Sequence, residues 1–237
     1  MLIVQTPDRQ EIVYPESDGM PMADNTLQFR WIVTIQGGLD LLFRDNPNVF
    51  VAGDLLWYPV EGENTIRVAP DTMVVFGRPK GDRGSYLQWR EDGIAPQVVF
   101  EILSPGNTGM EMTRKLGFYG RYGVEEYYLY DPIQNELSVW VREKGGLREV
   151  ELVDEWVSPR LGIRFDQTEE TLKIYRPDGV EFDSYVALGT RMEQERQRAE
   201  QERQRAEQER QRAEQERKRA ERLAAQLRAL GIDPDQG

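Results

Sequence analysis

A divalent cation held by two carboxylates, with a lysine beside it, is the chemistry that Asp71, Glu101 and Lys115 suggest. Asp71 follows Pro70 and opens the apolar run Thr72–Phe76, which puts a carboxylate at the start of a strand. Glu101 lies inside 98–103, flanked by five apolar neighbours, where a charge is costly unless it is paired or binds a cation. Glu111, Lys115 and Tyr119 follow at i, i+4 and i+8, on neighbouring parts of one helical face. If the strands of Asp71 and Glu101 are adjacent, both acids converge on one ion and the following helix returns Lys115 to it. Two carboxylates with a backbone carbonyl and waters form the oxygen shell that Mg²⁺ or Mn²⁺ prefers. Such an ion lowers the pKa of a bound water, and a neighbouring Lys orients that water or offsets developing charge. Phosphodiester hydrolysis needs these parts and neither imidazole nor thiol.

The composition narrows the field to the same chemistry. The chain has no His and no Cys. That excludes Ser–His–Asp triads, thiolate nucleophiles, disulfides and Cys- or His-ligated metal sites. Each candidate also has an ordinary structural role as an alternative. A Pro-Asp pair is commonly a turn, Glu101 would be neutralised by an arginine of the first helix such as Arg30, and Glu111 with Lys115 would be a surface pair. Their joint order, on the right elements, favours a metal site. Asp54 is a weaker candidate behind it and Gln28 weaker still. Tyr86 and Trp89 would stack on bases or simply pack.

The elements that must position these residues read as one domain followed by a helix. Asp24-Asn25-Thr26 caps an amphipathic helix through Leu39, Leu42 and Phe43, despite Gly37-Gly38. Strands are expected at 49–52, 55–58, 72–76 and 98–103, with a long loop over 77–96. A helix over 108–122 and a strand at 127–130 follow, then a hairpin from 136–141 and 147–153 and short strands near 161–166 and 171–176. This order is α/β (α+β), with a central mixed sheet flanked by helices. Domains are expected at 1–187 and 188–237. From Ala199 the word Ala-Glu-Gln-Glu-Arg-Gln-Arg repeats at Ala206 and, with Lys218 in place of its second Gln, at Ala213, without Gly or Pro between Thr190 and Leu230, so a long charged helix is expected there. Its heptads offer only Ala to a seam, with Leu223, Leu227 and Leu230 at the end, which leaves open both a solvated helix and a coiled coil. Gly231-Ile232-Asp233-Pro234 supplies its stop signals.

Residues 193–237 hold 11 acids and 11 bases, so the net charge of −12 lies entirely on 1–192. An acidic body is a mild argument against constitutive tight binding to nucleic acid. No apolar stretch is long enough to span a membrane. The first residues lack a basic start and a long apolar run, so no signal peptide is expected, and a cytoplasmic location is expected.

Four segments together resemble the Uma-type endonuclease family of bacteria, within the restriction-endonuclease-like PD-(D/E)XK superfamily. They are Pro70-Asp71, then Pro96-Gln97-Val98-Val99-Phe100-Glu101-Ile102-Leu103-Ser104-Pro105, then Lys115-Leu116 with Tyr119, then Gly123-Val124-Glu125-Glu126-Tyr127-Tyr128-Leu129-Tyr130-Asp131-Pro132. The resemblance covers roughly 20–175. It implies a restriction-endonuclease-like core, Mg²⁺ or Mn²⁺ on Asp71 and Glu101, and a water-assisting role for Lys115. The superfamily's usual Lys two positions after the Glu is replaced by Leu103, and the resemblance places the lysine on the next helix instead, at Lys115, with an acid at Glu111. DNA is the implied substrate, and a homo-oligomer is expected because cutting both strands commonly uses paired sites. The alternatives are a catalytically silent interaction module working through its C-terminal helix, and a hydrolase of RNA or another phosphoester.

Overall fold

A computed structural model describes residues 12–151, 153–168 and 170–229. The first residues, Leu230 and the stop signal Gly231–Pro234 lie outside them. Helix α1 (Thr26–Leu42) begins where Asn25 caps it, its side-chain oxygen accepting from the N–H groups of Leu27 and Gln28. Gly37-Gly38 does not break it. A Cβ on Gly38 would lie 2.2 Å from the Phe182 ring, so the glycine admits that side chain against the helix. Strands β1 (Val49–Ala52), β2 (Trp57–Tyr58), β3 (Thr72–Phe76), β4 (Tyr86–Leu87) and β5 (Val98–Ile102) follow. After α2 (Gly109–Tyr122) come β6 (Glu126–Asp131), β7 (Glu136–Glu143), β8 (Gly146–Glu149), β9 (Arg164–Asp166) and β10 (Lys173–Tyr175).

Six strands form one mixed sheet in the order β1-β3-β5-β6-β7-β8, with only the β5–β6 pair parallel. Parallel neighbours need a crossover, and α2 supplies it. All five residues of β5 are buried, so both sheet faces are covered and the strand reads as a continuous apolar run. The alternation reappears in the packing. Val98, Phe100, Ile102, Tyr128 and Tyr130 pack with α1 and with Phe165 and Ile174 of β9 and β10. Met73, Val75, Val99 and Tyr127 pack with Tyr119 of α2 on the other face. Glu101 has the parity of Val99, and Asp71 that of Met73, so both belong to the α2 face.

Two expectations are corrected. The strand expected at 55–58 shortens to Trp57–Tyr58, because Asp54 adopts a left-handed backbone (φ 48°) and turns the chain just before it. The region 77–96 is not loop throughout. Tyr86–Leu87 pairs in parallel with β2, and a 3₁₀ turn covers Gln88–Arg90. Two-residue strands are too short to show a period, so only tertiary pairing reveals them.

Contacts divide the chain into two compact units, Met1–Ser184 and Tyr185–Gly237. The second is helix α3 (Tyr185–Ala229), which has no buried residue. Glu200 pairs with Arg203 at 3.0 Å, and Lys218 with Glu214 at 2.7 Å. Among the described residues no helix is long and apolar enough to cross a membrane.

Candidate active site

The antiparallel register Thr72↔Phe100, Met73↔Val99 continues by one step to set Asp71 opposite Glu101. Directly opposed residues of an antiparallel pair project to one side, so the two carboxylates become neighbours. The Asp71 carboxylate also crosses to β5, where its Oδ2 accepts from the Ile102 N–H at 2.7 Å. Lys115 arrives because α2 must run back over β5 to reach β6. Thr108 caps α2 by accepting from the Glu111 N–H, and Gly123, at φ 104°, ends it in the left-handed conformation. One turn apart on this helix, Lys115 and Tyr119 both reach Glu101. The Lys115 Nζ donates to Oε2 at 2.8 Å, and the Tyr119 hydroxyl donates to Oε1. The partner of the buried Glu101 is thus Lys115 with Tyr119, not Arg30.

The charges do not balance. Two acids face one ammonium, with the side chain of Glu101 only 3% exposed, that of Lys115 18%, and Asp71 partly buried. Burial first, and the negative charge of Glu101 second, push the Asp71 carboxyl well above its ordinary value. Burial alone would lower the Lys115 pKa, but the charge and hydrogen bond of Glu101, joined by Asp71 and Glu111, together hold the ammonium above its usual range. Asp54 is raised too, by its partial burial and then by Asp18, and it feels both Lys115 and Glu101. Gly53 sits against the site, since a Cβ there would lie 3.3 Å from the Asp71 carbonyl oxygen.

The end of β5 is fixed from the opposite face. Gln28, buried on α1, donates to the Ile102 carbonyl at 2.8 Å and accepts from the Asp24 N–H at 2.8 Å. The Ser104 hydroxyl donates to the Asp24 carboxylate, tying the turn after β5 to the start of α1. Glu111 stands at the edge of this group, 3.5 Å from the Asn107 amide. Tyr86 is fully buried, its hydroxyl donating to the Ile94 carbonyl, and Trp89 packs on Tyr14 with ring centroids 5.0 Å apart.

The sequence alone gives neither Tyr119 nor Tyr127 a role at the site. The Tyr127 hydroxyl is buried without a hydrogen-bond partner among the described residues, and Glu101 and Asp71 raise its pKa beyond the burial effect. The signal for Tyr119 was its i+4 spacing from Lys115. Glu126 provides a contrast. It is as buried as Glu101, but Tyr128, Ser158 and the Arg160 N–H donate to it, so it fastens the 158–161 turn.

Asp71 and Glu101 offer hard oxygen donors and an excess of negative charge, which fits a divalent cation. Among the described residues no group of three or more acidic side chains is gathered to hold one, so an ion bound there would need waters or backbone oxygens to complete its shell.

A family model described as Uma2, "Putative restriction endonuclease", matches residues 16–174. Among solved structures, one described as "a putative nuclease belonging to DUF820" from Anabaena variabilis is similar over 57% of this chain and 72% of its own. Its identity is 16% and its TM-score 0.42, a likeness too slight to carry roles to individual residues. No curated protein matches the chain.

Proposed function

The chain belongs to the Uma2 family of restriction-endonuclease-type proteins, and from that premise we propose that it is a divalent-metal-dependent DNA endonuclease using Asp71, Glu101 and Lys115. The observation that carries this reading is the convergence of two carboxylates from adjacent strands and a lysine from the crossover helix on one sheet face. Asp71 and Glu101 would hold Mg²⁺ or Mn²⁺. When bound, the ion supplies Lewis acidity and a water acidified enough to attack phosphorus. Lys115 would orient the attacking water and offset charge on the phosphoryl oxygens; as the new O–P bond forms the water gives a proton to solvent, and as the P–O bond to the leaving group breaks the departing oxygen takes one from solvent. Tyr119 holds the second oxygen of Glu101, and Gln28 keeps the strand end in place, so the acids stay positioned without rearrangement.

A second reading, a silent domain acting through interactions, draws on the fact that both Glu101 oxygens already have donors. Cleavage separates the two. With Mn²⁺ or Mg²⁺ the protein is expected to cut DNA offered as plasmid, linear duplex and single strand, and Asp71→Asn, Glu101→Gln and Lys115→Ala are each expected to abolish cutting. Calorimetry should show Mn²⁺ binding weakened by the two acid variants but kept by Lys115→Ala, since an ammonium is no ligand. Mn²⁺ affinity unaltered by both acid variants would refute the site.

A further inference from the structure

Several cations of the acidic body are paired with acids, as in Arg78 and Arg83 with Glu91, or Arg160 with Glu125. Three that are not lie along one groove. Arg114 and Arg121, both exposed on α2, and Arg67, on the segment before β3, have no acidic partner among the described residues. Among the described residues the Arg67 side chain bonds only the Asn64 carbonyl, and Arg121 lies over the Tyr122 ring. The groove has a volume of about 610 Å³, and no Asp or Glu among the described residues lines it. Lys115 lines it as well and reaches Glu101 from there, so the groove opens onto the candidate active site. Ile66, Phe118 and Tyr122 add apolar surface to its lining.

Gly117 lies on this wall in the middle of α2, and a Cβ there would meet nothing within 4 Å. No packing neighbour among the described residues requires the glycine, although glycine is a poor helix former. What a bare backbone provides at that point is close approach for something lying in the groove.

We propose that this groove binds one unpaired strand of nucleic acid, its phosphates on Arg67, Arg114 and Arg121 and its bases against Phe118 and Tyr122, leading a phosphodiester to Lys115. Unpaired arginines supply the phosphate attraction, and aromatic faces beside them accept exposed bases that a duplex keeps stacked. The inference rests on the nuclease reading above and specifies which strand form it takes.

The test is fluorescence anisotropy of full-length protein with a labelled mixed-sequence oligonucleotide, single-stranded or annealed, in EDTA at several salt concentrations. The single strand is expected to bind at least about tenfold more tightly than the duplex. Arg114→Ala with Arg121→Ala should weaken it about tenfold or more and flatten the log–log salt slope by about 1.4, roughly 0.7 per lost phosphate contact. Gly117→Glu should weaken it similarly while the melting temperature stays level or rises, because the site has room and a better helix former replaces glycine. Arg44→Ala, which removes a cation elsewhere, should change neither affinity nor slope. Equal or tighter duplex binding, unchanged binding in the groove variants, or an equal loss in Arg44→Ala would overturn the proposal. Cleavage with Mn²⁺ is scored separately. Cutting without a groove effect refutes the groove alone, and groove binding without cutting refutes the nuclease reading alone.

Discussion

Asp71 and Glu101 are chemically alike and adjacent, yet neutralising them should have opposite effects on the metal-free protein. Glu101→Gln keeps an oxygen for Tyr119 but turns an amide toward Lys115, so the 2.8 Å bond to the ammonium is lost. A hydrogen bond to a charged group contributes about 1.5–3 kcal/mol, and breaking a buried pair costs about 3–5. The Asp71 charge, which Lys115 also feels, offsets part of this, leaving an expected loss of about 2–4 kcal/mol. For a domain of this size that lowers the melting temperature by roughly 5–15 °C. Asp71→Asn keeps an acceptor for the Ile102 N–H and removes a carboxylate that burial and Glu101 both disfavour, so it should melt at or above wild type. The readout must be tryptophan fluorescence in EDTA. All five tryptophans lie in the first unit, whereas far-UV signal would be dominated by the 45-residue helix α3. Glu101→Gln melting as high as wild type, or Asp71→Asn falling as far as Glu101→Gln, would refute this account of the charge balance.

The pH dependence follows from the same imbalance. Because the folded Asp71 pKa is raised above the ordinary value of 3.8, its contribution to stability is full below that value and is lost as pH rises through the folded pKa. Metal-free wild type should therefore fall progressively behind Asp71→Asn as pH rises, and a constant gap in a series of melts would contradict this. Tyr119→Phe, which takes a donor from a buried carboxylate, should destabilise by about 1–3 kcal/mol, whereas Tyr127→Phe should cost less than about 1 kcal/mol; urea titrations compare them. Truncation after Ser184 should leave the fluorescence melt within about 2 °C, since both apolar clusters lie within the first unit and no described residue of α3 is fully buried. Light scattering of the same pair should show little change in oligomeric state, because an alanine seam buries little apolar area; a dimer that becomes a monomer on truncation would contradict it.

Local rules carried much of this molecule. Asn25, Thr108 and Gly123 bound their helices by capping chemistry that acts within a few residues, and the heptad word makes α3 helical without a partner. Glu101 was conspicuous because an acid inside an apolar run must find compensation somewhere. The identity of that compensation was not local. Lys115 and Tyr119, rather than Arg30, meet Glu101 because the parallel β5–β6 pairing forces α2 back across the strand. Asp71 stands beside Glu101 only through the β3–β5 register, and a slip of one residue would turn one of them to the α1 face. The basic groove was equally hidden. Arg67 is 47 positions from Arg114 in an acidic chain, and charge counted along a sequence averages away what folding gathers onto one surface.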